Sequence, residues 1–184
     1  MITEVTLPPE LTKAAESLEQ RLQILSVPTR KIPMGEWNAM PETIHHLVPS
    51  WIPSLLSRFS LHGAVLECRH NGHTASWQRF FDFWEPEAYT QNLSGGSFYC
   101  FKDEFIAEGM VMISAETDGD MWLTSISGGA SSPIYLFDLS GHERILASSR
   151  IALLMSSMAV SHQSFGRLGK AEKIRSVMWF KAID

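Results

Sequence analysis

Seven histidines raise the question of a metal site, because imidazole nitrogens are common ligands of transition metals. His45 and His46 are adjacent, so on a helix or a strand their side chains diverge. His70 and His73 belong to a predicted loop, where two imidazoles would need a third ligand from elsewhere in the chain. No spacing matches a zinc motif such as HExxH. The sequence therefore predicts no bound metal and no other cofactor.

Other motifs that carry out catalysis are also missing. The sequence contains no GxSxG nucleophile motif, no GxxxxGK[ST] phosphate-binding loop and no GxGxxG dinucleotide motif. Asp118-Gly119-Asp120 begins like a calcium-binding loop, but a turn with Gly119 at positive φ explains it more simply. Cys68 and Cys100 lie in or beside predicted strands and predict neither a disulfide scaffold nor a zinc site. We expect no catalytic residue and no enzymatic activity.

The clearest chemical signal is an uneven distribution of charge. The whole chain has a formal net charge of −5, but the segment 82–120 alone carries nine acidic residues and one basic residue, Lys102. The segment from 161 onward carries five basic and two acidic residues. This balance disfavours direct binding of nucleic acid, which depends on neutralising phosphates. The acidic middle is either a solvated face or a surface that attracts a basic partner, and the sequence leaves both interpretations open.

The length and composition limit the architecture that can position these side chains. A chain of 184 residues, of which 45% are apolar, fits one domain with a sizeable core. No run approaches 18 apolar residues, and the first residues lack a basic segment followed by an apolar one, so neither a membrane span nor a secretory signal is expected. These features predict a cytoplasmic protein.

Apolar periodicity predicts helices at both ends of the chain and strands between them. The first helix begins at Pro8 and ends before Pro28, and a connector without regular structure follows to residue 42. The other predicted helices cover 49–59, with Ser50 as the N-cap, 148–158 and 169–179. The predicted strands cover 61–68, 110–115, 121–126 and 133–139, with an edge strand within 96–105. Short turns between the later strands favour an antiparallel meander, and the fold class is α+β.

The same spacings predict which side chains form the core. These residues are Trp51, Leu55, Phe59, Val111, Ile113, Trp122, Ile134, Leu136, Leu154 and Met158.

Three blocks of the sequence follow one another in an order that a known family shares. They are Pro49–Gly63, Met110–Trp122 and Pro133–Asp138, and the segment 145–149 then leads into a closing helix. In this order they resemble the first helix, the central pair of strands and the next strand of the SUKH superfamily, the Smi/Knr-like proteins. These include bacterial toxin-immunity proteins and fungal regulators of cell-wall synthesis. The resemblance covers residues 42–158, although residues 70–105 match no element of the family.

The resemblance implies a central, mostly antiparallel sheet flanked by N- and C-terminal helices. Residues 1–41 would form an N-terminal helix and a connector, and residues 42–160 the SUKH-like domain. Residues 161–184 would form a basic helical extension packed on the same domain.

In bacteria the resemblance implies an immunity protein, which covers the active site of a toxin, often a nuclease or a deaminase, and needs no catalytic residue. The acidic middle fits a toxin domain with a basic groove, since carboxylates can take the place of phosphates. Exposed aromatic residues such as Trp77 or Trp84 would anchor the contact. The residues expected to bind the partner are Asp82, Trp84, Glu85, Glu87, Asp103, Glu104, Asp118 and Asp120.

Two other functions stay open at this point. A domain of the same fold could regulate or scaffold an endogenous cytosolic protein, as the fungal relatives do. A small-ligand or metal-dependent enzyme would use the loop of His70 and His73 with nearby carboxylates. In each case the chain is expected to be a monomer or a weak homodimer that binds no membrane and no nucleic acid directly.

Overall fold

The computed structural model describes residues 1–71, 76–94, 101–115, 119–140, 142–160 and 175–180. The helices within these ranges are α1 (Pro9–Ile24), α2 (Met34–Asn38), α3 (Glu42–His45), α4 (Trp51–Arg58), α5 (Pro86–Leu93), α6 (Lys102–Ala107) and α7 (Ile151–Val160). The strands are β1 (Val65–Asn71), β2 (Ser76–Phe81), β3 (Met110–Ala115), β4 (Met121–Ser125), β5 (Ile134–Asp138), β6 (Glu143–Ser148) and β7 (Arg175–Phe180). The predicted α+β class is confirmed. No helix in the described ranges is long and apolar enough to cross a membrane.

Four strands form the antiparallel meander that the short turns predict, in the order β3-β4-β5-β6. β3 and β4 are apolar and almost entirely buried, because both of their faces are covered. The outer edge of β3 is covered as well. The backbone N–H of Trp84 donates to the Ile113 carbonyl at 3.0 Å, and the N–H of Asp82 donates to Ser114 Oγ at 3.1 Å. The segment after β2 therefore closes this edge of the sheet.

A second sheet has the order β2-β1-β7, in which β1 is antiparallel to β2 and parallel to β7. The prediction of a helix at 169–179 is therefore wrong for residues 175–179, and 169–174 lie outside the described residues. The C-terminal extension is accordingly not helical where it is described. The strand segment Arg175–Phe180 contains a β-branched and two aromatic residues, which pack well on a pleated surface.

A single cluster of buried side chains joins the helices to the sheets. Nine of the ten predicted core residues are buried, and the side chain of Met158 lies outside the described part. Aromatic rings connect distant segments: Phe81 packs edge-to-face on Trp122 at 5.2 Å, and Trp51 packs on Phe83 at 6.3 Å. α1 packs against α7, so the predicted N-terminal segment and the last helix of the predicted domain share one core.

Several local predictions differ from the structure. The connector contains the short helix α2, and a second short helix, α3, begins where the connector was predicted to end. The edge strand expected within 96–105 is wrong for residues 101–105, most of which belong to α6, and 96–100 lie outside the described residues. The first predicted strand begins only at Val65, because Gly63 adopts φ +92°. Ser50 has helical backbone angles and no side-chain capping hydrogen bond, so it does not cap α4.

Candidate functional site

The eight residues expected to bind a partner lie in three different environments. Asp82 and Glu85 follow β2 and lie beside a histidine, His62. Glu87, Asp103 and Glu104 are exposed on two helices. Trp84 and Asp120 are buried, and Asp118 lies outside the described residues.

The first environment is a charged cluster of five residues, Arg30, Glu36, His62, Asp82 and Glu85, which we call the His62 cluster. His62 Nε2 lies 3.2 Å from Glu85 Oε2, and Nδ1 lies 3.2 Å from the Phe83 carbonyl oxygen. Nδ1 is also 4.0 Å from Asp82 Oδ1. A carbonyl and a carboxylate only accept hydrogen bonds, so both ring nitrogens of His62 face acceptor atoms.

Arg30 connects the same carboxylates to the connector that follows α1. Its Nη2 donates to Glu85 Oε2 at 2.7 Å, and its Nη1 lies 3.2 Å from each carboxylate oxygen of Glu36. Partial burial acts to lower the pKa of Arg30, but the hydrogen bonds and charges of Glu36 and Glu85 outweigh it and raise that pKa. The backbone N–H of Arg30 also donates to the His62 carbonyl at 3.0 Å. The cluster therefore holds the connector against the segments on either side of the β1–β2 hairpin.

The geometry of the His62 cluster favours a structural role. An open cleft of about 340 Å³ lies beside it, lined by Pro28, Thr29, Arg30, His62 and Gly63. Both imidazole nitrogens of His62 already face acceptors of the chain itself. No group of three or more potential ligands in the described residues is arranged to hold a metal ion. For the alternative metal site, His70 lies at the end of β1 rather than in a loop, and His73 is outside the described residues.

The second environment consists of carboxylates in the first turns of two helices. Glu87 begins α5 and accepts a hydrogen bond from Gln91, one turn later. Asp103 and Glu104 begin α6, where Asp103 is 90% exposed and lies 3.9 Å from Nζ of Lys102. Within the described part of the chain, none of the three carboxylates pairs with a residue of another element. Acidic residues at these positions also stabilise their own helices, because they complement the positive N-terminal end.

Aromatic packing places the first turn of α6 beside the four-stranded sheet. Phe105 of α6 is buried against Phe137 of β5, with ring centroids 5.0 Å apart. The guanidinium of Arg144 in β6 lies 5.9 Å from the Phe105 ring centroid and pairs with Glu108. α6, which also carries the exposed Asp103 and Glu104, is therefore held against β5 and β6.

In the third environment, two residues expected at the surface are buried. Trp84 is 8% exposed and packs edge-to-face on Tyr89 at 5.4 Å. Asp120 is 4% exposed, and its Oδ1 accepts a hydrogen bond from the Leu139 N–H at 2.8 Å. The expectation that Trp84 is an exposed anchor is therefore wrong, and Asp120 holds the start of β4 to the end of β5. The side chain of Trp77 lies outside the described part.

Sequence reasoning missed Arg30 and His62, which bind two of the predicted carboxylates. Arg30 and Glu85 are 55 positions apart, and neither Arg30 nor His62 belongs to a recognisable motif. Only the connector's return to the sheet brings these residues together, so no local pattern could have identified them.

Comparisons of the chain with protein-family models, with curated proteins and with solved structures find no match.

Proposed function

We propose that this chain is a non-enzymatic protein-binding domain of the SUKH type, and specifically an immunity protein that neutralises a toxin by covering its active site. The observation that carries the proposal is the exposure of Glu87, Asp103 and Glu104 without an ion pair to another described element. The order of β3, β4, β5 and α7 supports it, because this is the order of elements in the resemblance.

The carboxylates would act first on the rate of association. A cluster of negative charge attracts a positively charged groove over about a Debye length, near 8 Å at physiological salt. Such attraction raises the association rate constant more than the final affinity, and it weakens as salt is added. Once in contact, Asp103 and Glu104 would occupy the places of substrate phosphates in the groove. The protein needs no catalytic group for this.

The test is co-expression of the tagged chain with a catalytically inactive toxin domain encoded beside its gene. We expect a stoichiometric complex whose dissociation constant rises with salt, and survival of cells that produce the active toxin together with this chain. The double variant Asp103→Lys, Glu104→Lys should weaken the complex, because it replaces attraction with repulsion.

A matched control has the same change in net charge at another place. Glu16 and Glu42 are exposed and lie outside the acidic segment, so Glu16→Lys, Glu42→Lys should leave the affinity nearly unchanged. Equal effects of the two double variants would contradict a localised acidic surface. Neither a complex nor protection of cells would contradict the immunity function, and a complex with only an endogenous protein would favour a regulatory scaffold.

A further inference from the structure

β6 is the exposed outer strand of the four-stranded sheet. It pairs with β5 from Glu143, opposite Asp138, to Ser148, opposite Ile134. None of its six residues is buried, whereas β3 and β4 are almost entirely buried. Among the described residues no other strand pairs with β6. Within the described ranges, its outer backbone N–H and C=O groups are therefore available to a further strand.

The two edges of this sheet differ in what covers them. The edge at β3 is closed by hydrogen bonds from the backbone of Asp82 and Trp84. β6 contains no Lys or Pro, and its two charged residues, Glu143 and Arg144, lie together at its first end, so they do not protect the rest of the edge. Its centre is Ile145-Leu146-Ala147, and Leu146 is 56% exposed. The bulge in the β5–β6 pairing lies at the far end, near Ser148, and leaves residues 143–146 in regular register.

The charge around the start of β6 is predominantly acidic. Glu143 stands directly opposite Asp138 in the register, and two like charges in such a pair repel each other. α6, whose first turn carries Asp103 and Glu104, packs through Phe105 against Phe137 of β5 and Arg144 of β6. The one arginine of β6, Arg144, is already paired with Glu108. A strand that brings lysine or arginine to this end would complement the charge of Glu143, which is exposed.

We propose that the edge of β6 binds an extended, basic segment of the partner protein, which pairs with β6 and becomes the fifth strand of the sheet. The backbone of β6 would supply the affinity, and Leu146 and the acidic residues would select an alternating apolar and basic sequence. This inference rests on the proposed function, because it locates the contact with the partner. It centres the binding surface on β6 and α6.

The first test uses the full chain and a synthetic octapeptide of alternating lysine and valine, with a glutamate and valine octapeptide as its control. We expect the basic peptide to slow amide hydrogen exchange in β6 and to bind more weakly as salt is added. Glu143→Lys should weaken binding roughly fivefold, the upper end for an exposed ion pair. Glu42→Lys, at an exposed site in α3 outside the acidic segment, is the matched control and should leave binding unchanged. No protection of β6 at millimolar peptide, or equal effects of the two variants, would overturn the proposal.

The second test repeats the hydrogen-exchange measurement on the complex with the inactive toxin domain. Protection of α5 or the His62 cluster instead of β6 would overturn this inference and leave the immunity function standing. Binding of the basic peptide to β6 without any toxin complex would support the surface and contradict the immunity function. A dimer of the free chain that Leu146→Lys dissociates would show that a second copy occupies the edge, and would overturn the proposal.

Discussion

Gly119 lies in a turn that the sequence predicts, and the structure shows why a residue without a side chain is required there. It adopts φ +97°, and a Cβ placed there would lie 2.7 Å from Leu139 Cδ2. We therefore expect Gly119→Ala to lower the free energy of unfolding by about 1–3 kcal/mol, through backbone strain and overpacking. Gly35 in α2 is the control, since no atom lies within 4 Å of its added Cβ. Gly35→Ala should be neutral or stabilising by up to about 1 kcal/mol, and denaturant unfolding would measure both. Equal stabilities of the two variants would contradict this account.

Tyr89 is completely buried, and burial raises the pKa of its hydroxyl well above the usual value of about 10. The native state therefore keeps the proton at pH values where the unfolded chain has lost it. The contribution of this group to stability is complete below about pH 10 and is lost as the pH rises further, by up to about 1.4 kcal/mol per pH unit. Tyr89→Phe removes the ionisation, so the variant should lose less stability than the parent above pH 10.

The same variant should cost little near neutral pH. The Tyr89 hydroxyl has no hydrogen-bond partner in the described part of the chain, so its removal should change the free energy of unfolding by no more than about 1 kcal/mol. Tyr135→Phe, at a partly buried site, is the control and should keep the alkaline loss. Urea unfolding at pH 7 to 11 measures both variants. An identical alkaline decline in Tyr89→Phe and the parent would exclude Tyr89 as its source.

At the scale of elements, the helices and strands that the sequence predicts are those with one clear apolar pattern. α1 has a leucine stripe, and β3, β4 and β5 are apolar runs separated by turn residues, so their positions follow from the residues alone. β6 was missed as a strand because none of its residues is buried and its sequence shows no alternation. α2 and α6 have only five and six residues, too few for a periodic pattern to be recognised.

Some residues of the candidate site are likewise predictable from the local sequence, and others are not. Glu87, Asp103 and Glu104 are exposed as predicted, because clustered acidic residues are costly to bury. Asp120 is acidic and yet buried, because its carboxylate accepts a hydrogen bond from the backbone N–H of Leu139, directly after β5. Trp84 is buried because the chain crosses from β2 to the edge of β3 at this point. Both exceptions depend on contacts between distant segments, which composition does not encode.

At the scale of the whole molecule, residues 1–41 belong to the same core as the residues that follow. Leu11, Leu18 and Leu22 of α1 are buried in the common cluster, and α1 packs against α7. Two surface ion pairs join the same regions, between Glu10 and Arg150 at 2.8 Å and between Glu4 and Arg58 at 2.7 Å. Exposed pairs of this kind contribute up to about 1 kcal/mol each, so the buried leucines carry most of the attachment.

We therefore expect the chain to unfold as one cooperative unit that includes α1. Leu18→Ala should lower the free energy of unfolding by about 2–5 kcal/mol, because it leaves a cavity between α1 and its neighbours. Ile24→Ala, at a site that is 75% exposed on the same helix, should change it by less than about 0.5 kcal/mol. Tryptophan fluorescence, which reports on buried rings such as Trp122, and far-ultraviolet circular dichroism should give coincident transitions in both variants. An early loss of helical signal in Leu18→Ala with unchanged fluorescence would show instead that α1 detaches alone, as an appendage of an independently stable domain.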